Sequence, residues 1–144
     1  MALATVFFCL VMAVGDGDSL SLRCPGEPPV RVRLATIDAP ELRQAYGREA
    51  REHLRRLCLR QQARVHQLGR DKYGRLLANV RCRGEDAASA QLRAGLAWVW
   101  PPLAQQYPQL KALEQQARTE RTGLWAQKRP LAPWSYRKRH GGRQ

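Results

Sequence analysis

TVFFCLVMAVGDGDSLSLRC, residues 5–24, sets the architecture. Two strand-forming runs, Thr5 to Val14 and Ser19 to Cys24, flank Asp16-Gly17, and Asp-Gly between such runs is a strong β-hairpin signal. The first run reaches back to Ala4 and is apolar almost throughout, so a buried strand is expected from Ala4 to Val14. A hairpin turning symmetrically about Asp16-Gly17 sets Cys9 opposite Cys24, which allows a cross-strand disulfide and implies an oxidising compartment. Cys58 and Cys82 read either as a second pair or as two buried thiols, and no cysteine spacing resembles a zinc cluster.

Further strands follow. Val30 to Ile37 alternates, with Val32, Leu34 and Thr36 on one face and Arg31, Arg33, Ala35 and Ile37 on the other, until Pro40 stops it. Gly47 to Leu59 carries a helical stripe of Ala50, Leu54, Leu57 and Cys58. Ala63 to Leu68 and Leu76 to Cys82 read as strands joined by the polar turn Gly69 to Arg75. Asp86 is placed to cap a helix over Ala87 to Ala94 that Gly95 ends. A last helix is expected from Pro108 to Thr122, with Leu110, Leu113 and Ala117 facing a core and Gly123 as its C-cap.

This order describes a mainly β fold with α: a five-stranded barrel of the oligonucleotide-binding (OB) type plus about three helices. One domain is expected over 4–127, followed by a basic, proline-containing C-terminal extension over 128–144. No 18-residue apolar run exists to span a membrane. Met1 to Val14 is apolar like the core of a secretion signal, yet it lacks a basic start and runs directly into Gly15-Asp-Gly-Asp18. The expectation is a secreted or periplasmic protein whose leader is already absent.

The 144 residues hold 25 Lys and Arg against 12 Asp and Glu, a formal charge of +13 that favours nucleic acid or another anionic surface. Arginine dominates, and its planar fork suits phosphate oxygens; a merely solubilising surface is the plainer reading. Against that background Asp18 and Asp38 stand out as acids on scaffold edges. Oxygen donors of this kind suit a hard cation such as calcium or magnesium; alternatively, Asp16 and Asp18 only serve a turn. Glu41, just past Pro40, is placed to take a proton from water or to orient it. Arg33 and Arg75 suit the charge that grows on the equatorial oxygens of a phosphorane. Arg33 and Asp38 are five residues apart, however, and strand parity sends them to opposite sides unless the strand end twists or bulges. Tyr73, Trp98 and Trp100 offer rings on which bases stack. All three also suit a core, and Trp100 beside Pro101-Pro102 reads that way.

Five separated motifs occur in one order: Gly15-Asp-Gly-Asp-Ser19, Val32-Arg-Leu-Ala-Thr-Ile-Asp-Ala-Pro-Glu41, Tyr46-Gly47 with Glu49, Asp71-Lys-Tyr-Gly-Arg75 and Gly95-Leu-Ala-Trp98. The set resembles the staphylococcal nuclease, or thermonuclease, family over nearly all of residues 4–122. That resemblance implies an OB barrel with three helices and a calcium-dependent endonuclease. Such an enzyme, expected as a monomer, would hydrolyse single-stranded DNA and RNA at P–O5′ and leave 3′-phosphate ends. It implies that Asp18, Asp38 and the Ala39 backbone carbonyl bind Ca2+, and that Arg33 and Arg75 clamp phosphate. By the same resemblance Glu41 serves as general base or orients water, Lys72 and Tyr73 contact a terminal phosphate, and Trp98 lies near the base. Ala39 and Ser19 stand where the family has threonine, Trp98 stands where staphylococcal nuclease has tyrosine, and the Glu41 to Gly47 loop is shorter. The tail from Gly123-Leu-Trp125 to Pro133-Trp134-Ser-Tyr-Arg137 resembles extensions of bacterial members. Two other readings are a nucleic-acid-binding module that has lost catalysis and a basic face adhesive toward membrane or cell-wall anions. Joint retention of Asp18, Arg33, Asp38, Glu41 and Arg75 speaks against the module.

Overall fold

Inward-pointing residues on three consecutive strands begin the core. Cys9, Val11 and Val14 on β1 (Thr5–Asp16), Leu20 and Leu22 on β2 (Ser19–Arg23), and Val32 and Leu34 on β3 (Val30–Leu34) are all buried. The computed structural model describes residues 5–141, so Ala4 and residues 142–144 lie outside the described residues. The chain continues through β4 (Ile37–Asp38), α1 (Gly47–Cys58), β5 (Gln62–Arg70), β6 (Leu76–Cys82) and β7 (Glu85–Asp86). Then come α2 (Ala87–Arg93), β8 (Trp98–Val99), α3 (Pro108–Glu120) and α4 (Pro133–Arg139), with 3-10 turns at Pro101–Leu103 and Gly123–Ala126.

The main sheet runs β3-β2-β1-β5-β6-β7, and a parallel pairing of β3 with β6 closes the first five strands into a barrel. The expected OB barrel is therefore present, with β7 added at its edge and four α-helices among the described residues where about three are expected. A separate ladder joins β4 to β8, Ile37 opposite Val99 and Asp38 opposite Trp98.

Four local expectations change. The hairpin turns at Gly17-Asp18, with Asp16 opposite Ser19, one residue later than the Asp-Gly signal suggests. Neither residue is among those with positive φ, so the mirror-image turn that Asp-Gly favours is not used. Strand β1 is buried on one face only: Val6, Phe8 and Met12 are exposed. The run from Val30 to Ile37 is broken by a turn at Ala35-Thr36, which separates β3 from β4. Helix α3 ends at Glu120 with Arg121 as its left-handed C-cap at φ 55°. Gly123 serves another need, because a Cβ there would lie 2.5 Å from the Gly95 carbonyl oxygen.

Cys9–Cys24 and Cys58–Cys82 are both disulfides. The first pairing does not arise from simple symmetry. Two one-residue slips, between Val14 and Asp16 and between Val11 and Ala13, move the β1–β2 register until Cys9 faces Cys24. The bridges span sequence separations of 15 and 24 residues, and loops of that size restrict the unfolded chain by about 3 kcal/mol each. Reduction is expected to lower the urea midpoint correspondingly; equal midpoints with and without dithiothreitol would remove the bridges from the stability of the fold.

On α3 the buried positions are Leu110, Glu114 and Ala117, while Leu113 is only partly buried. The Glu114 side chain is 1 % exposed. It accepts from the Val99 N–H at 2.8 Å, from Lys111 Nζ at 3.1 Å and from Arg118 Nε at 3.0 Å. This buried carboxylate ties α3 to β8, and β8 in turn holds β4.

Candidate functional site

The β1–β2 turn separates the roles of its two acids. Asp16 Oδ1 accepts from the Asp18 N–H at 3.1 Å and from Ser19 Oγ at 2.8 Å, so Asp16 closes the turn locally. Asp18 instead reaches across the fold, its Oδ2 accepting from the Ala39 N–H at 2.8 Å. Gly17 permits that approach: a Cβ there would lie 2.6 Å from Ala50 Cβ and 2.7 Å from Ala39 Cβ. Gln91, fully buried on α2, donates from Nε2 to the carbonyls of Gly17 and Ala50 and pins the turn against α1.

The turn at Ala35-Thr36 resolves the parity problem of the neighbouring strand. With β3 ending at Leu34 and β4 redirected toward β8, Arg33 and Asp38 meet. One guanidinium nitrogen of Arg33 lies 3.3 Å from Asp38 Oδ1 and 3.8 Å from Asp18 Oδ2. The same guanidinium sits over the Trp100 ring, 5.8 Å from its centroid. Glu41 follows at the start of a loop in which its N–H donates to Gln44 Oε1 and its carbonyl accepts from the Gln44 N–H.

A further member comes from the C-terminal extension. Arg137 on α4 donates to Asp38 through both terminal nitrogens, at 2.7 Å to Oδ2 and 3.1 Å to Oδ1, and to Glu41 Oε2 at 2.9 Å. The sequence reading did not anticipate this residue. Its signal was present in Pro133 as a helix-starting residue and Trp134 as an apolar anchor, with Arg137 one turn further on.

The remaining expected residues lie on other elements. Arg75 enters β6 just before Leu76, the partner of Val32 in the barrel-closing pair, and is held by Asp71 Oδ2 at 2.7 Å. Lys72 and Tyr73 are exposed on the β5–β6 turn, with Lys72 Nζ 5.4 Å and the Arg75 guanidinium 5.7 Å from the Tyr73 centroid. Beside them opens a cavity of about 780 Å³ whose lining includes Phe7, Glu27, Arg31, Arg70, Tyr73 and Arg75. Trp98 is 6 % exposed and packs edge-on against Trp125 and Trp134, so no face of its ring is open to a base. Trp100, expected in the core, is the partly exposed one and carries Arg33 over its ring. The exchange follows from the two-residue strand β8, which turns Trp98 inward under α4.

Electrostatically the site is a crowded set of acids balanced by guanidinium groups. Burial and then the Asp16 charge push the Asp18 carboxyl well above the ordinary range; Asp38 adds to this and Arg33 opposes it. Burial also raises Glu41, and Arg137 partly offsets the rise. Burial alone would lower Arg137, but its bonds to Asp38 and Glu41 raise it instead. Among the described residues no three His, Cys, Asp or Glu side chains form a ready-made metal cluster. The positive partners of Asp18 and Asp38 here are Arg33 and Arg137, and the carboxylate oxygens of Asp18 and Asp38 and the Ala39 backbone carbonyl are donors of the hard kind that a divalent cation takes.

A family model described as staphylococcal nuclease homologue matches residues 31–127. A Shigella flexneri protein named micrococcal nuclease is 34% identical over 89% of this chain and 79% of its own length. A Haemophilus influenzae protein named as an uncharacterized endonuclease is 33% identical over 90% of this chain and 72% of its own. A probable staphylococcal-like nuclease of Oryza sativa is 39% identical over 77% of this chain, which spans only 34% of that protein.

Proposed function

Because the chain belongs to the staphylococcal nuclease homologue family, we propose that it is a nuclease, a calcium-dependent phosphodiester hydrolase acting on single-stranded DNA and RNA. The observation that carries this reading is the convergence of Asp18, Arg33, Asp38 and Glu41 on one edge of an OB barrel in a chain of charge +13. Such a constellation is suited to a phosphodiester, whose negative charge needs guanidinium partners and whose attacking water needs a base.

In this proposal Arg33 and Arg75 hold the phosphoryl oxygens, and Glu41 orients a water and takes its proton as oxygen attacks phosphorus. The P–O5′ bond then breaks, the O5′ leaving group gains a proton, and a 3′-phosphate end remains. Asp18, Asp38 and the Ala39 carbonyl would hold Ca2+, which supplies Lewis-acid polarisation of a phosphoryl oxygen when bound. Lys72 and Tyr73 would meet a flanking phosphate. Unpaired bases have Tyr73 as an exposed ring and Trp100 as a partly exposed one, whereas Trp98 is buried against Trp125 and Trp134. The two disulfides support a secreted or periplasmic site of action, and the proposed working form is a monomer. Among the described residues no helix is long and apolar enough to cross a membrane.

A second reading, a nucleic-acid-binding module without turnover, is favoured by one observation: Asp38 and Glu41 are both engaged by Arg137. The test is cleavage of heat-denatured DNA, duplex DNA and RNA with calcium and with chelator, and end analysis of the products. Chelation is expected to lower the rate by at least about a hundredfold, and the products are expected to carry 3′-phosphates. Undiminished cleavage in chelator would sink the metal mechanism. Binding without cleavage at any calcium concentration would establish the module instead.

A further inference from the structure

We propose that Arg137 is a positioning residue of the candidate site, and that residues 128–139 are a working part of that site and not an appended tail. The inference rests on the nuclease reading above. Arg137 does more than balance charge: one terminal nitrogen bridges Asp38 Oδ1 and Glu41 Oε2, while the other holds Asp38 Oδ2. A single planar guanidinium thus fixes the expected cation ligand and the expected base relative to one another. A lysine ammonium, a compact point charge, lacks the rigid fork that makes this bridge.

The alternative for such a contact is a detachable plug. The docking of α4 argues against it. Pro133 is buried, and Trp134 packs against both Trp98 and Trp100, at centroid distances of 6.1 and 6.2 Å. Upstream, the Leu131 carbonyl accepts from Gln44 Nε2 in the loop that begins at Glu41. The Arg137 side chain is itself only 11 % exposed. Three attachments therefore join the extension to Asp38 and Glu41, to the loop that begins at Glu41 and to the Trp98–Trp100 segment. Among these, Trp100 is shared, since it touches Trp134 and also lies under the Arg33 guanidinium.

Arg137→Ala and Arg137→Lys, each checked for an unchanged melting profile, are compared with the wild-type protein on denatured DNA. In the alanine variant kcat is expected to fall about 100-fold, the loss that goes with misplacing a reacting group by about 1 Å. KM is expected to move by less than roughly threefold, because the lost contact orients the base and does not hold substrate. Added methylguanidinium is expected to restore part of the rate to Arg137→Ala, and Arg137→Lys to retain part of it. Wild-type cleavage matched by Arg137→Ala would overturn the proposal alone. Faster cleavage by Arg137→Ala, together with tighter calcium binding by calorimetry, would identify a plug and likewise overturn it. A lowered melting temperature in Arg137→Ala, with a rate loss that neither lysine nor methylguanidinium repairs, would assign Arg137 to folding only and overturn the proposal. A wild-type protein inactive with every divalent cation would instead remove the nuclease reading on which the proposal stands.

Discussion

Asp38→Ala is expected to reduce cleavage of denatured DNA by about a thousandfold, a loss at the upper end of what removal of one preorganised electrostatic partner produces. Asp38 is the centre of the site: its side chain is 1 % exposed, Arg33 and Arg137 both converge on it, and it belongs to the proposed cation ligands. Alanine removes all of these relations at once. It also leaves two largely buried guanidinium groups without their shared partner, a kind of change that commonly costs about 3–5 kcal/mol. Initial rates therefore need to be read beside the folded fraction. Asp38→Asn separates the two effects because it preserves shape and can still accept hydrogen bonds while losing the charge. A well-folded Asp38→Asn or Asp38→Ala protein cleaving at the full wild-type rate would remove Asp38 from the mechanism. Glu41→Gln provides the companion measurement, with a severe loss of kcat expected and substrate binding largely retained.

Glu114→Ala is expected to destabilise the fold by about 3 kcal/mol, with a fall in melting temperature of about 10 °C. The variant would strip the buried Val99 N–H of its acceptor and deprive Arg118 and Lys111 of their partner. Glu114→Gln should cost less, since its amide oxygen can still accept from Val99. The effect matters to function because Val99 pairs with Ile37, the residue next to Asp38 in β4. Thermal melts of both variants test this chain of support. An alanine variant that melts within roughly 2 °C of the wild type would show that α3 does not hold β8 through this carboxylate.

Much of the barrel was legible because its signals are local. Alternating runs located β2, β3, β5 and β6; Asp86 does cap α2, its Oδ2 accepting from the Ser89 N–H at 2.9 Å. The errors also have local causes. Asp-Gly propensity put the turn one residue early because Asp16 bonds the following backbone and side chains, which propensity does not count. Trp98 and Trp100 exchanged exposure because two neighbouring aromatics carry the same composition signal. Only the β4–β8 ladder and the packing of Trp125 on Trp98 distinguish them. Glu114 was unreadable as a buried residue, since its partners lie on another element and a helical stripe search counts only apolar side chains.

Sequence alone specified which chemical groups this chain possesses and the order in which strands, helices and motifs occur, because periodicity, turn chemistry and charge are properties of near neighbours. It also brought the family within reach through five motifs in register. Tertiary structure alone decided which groups meet. The break at Ala35-Thr36 turns Asp38 toward Arg33, the Gly17 approach delivers Asp18 to Ala39, and the folded-back extension brings Arg137 to Asp38 and Glu41 across separations of 99 and 96 residues. Contacts of that range depend on the packing of several elements at once, and no local pattern encodes them.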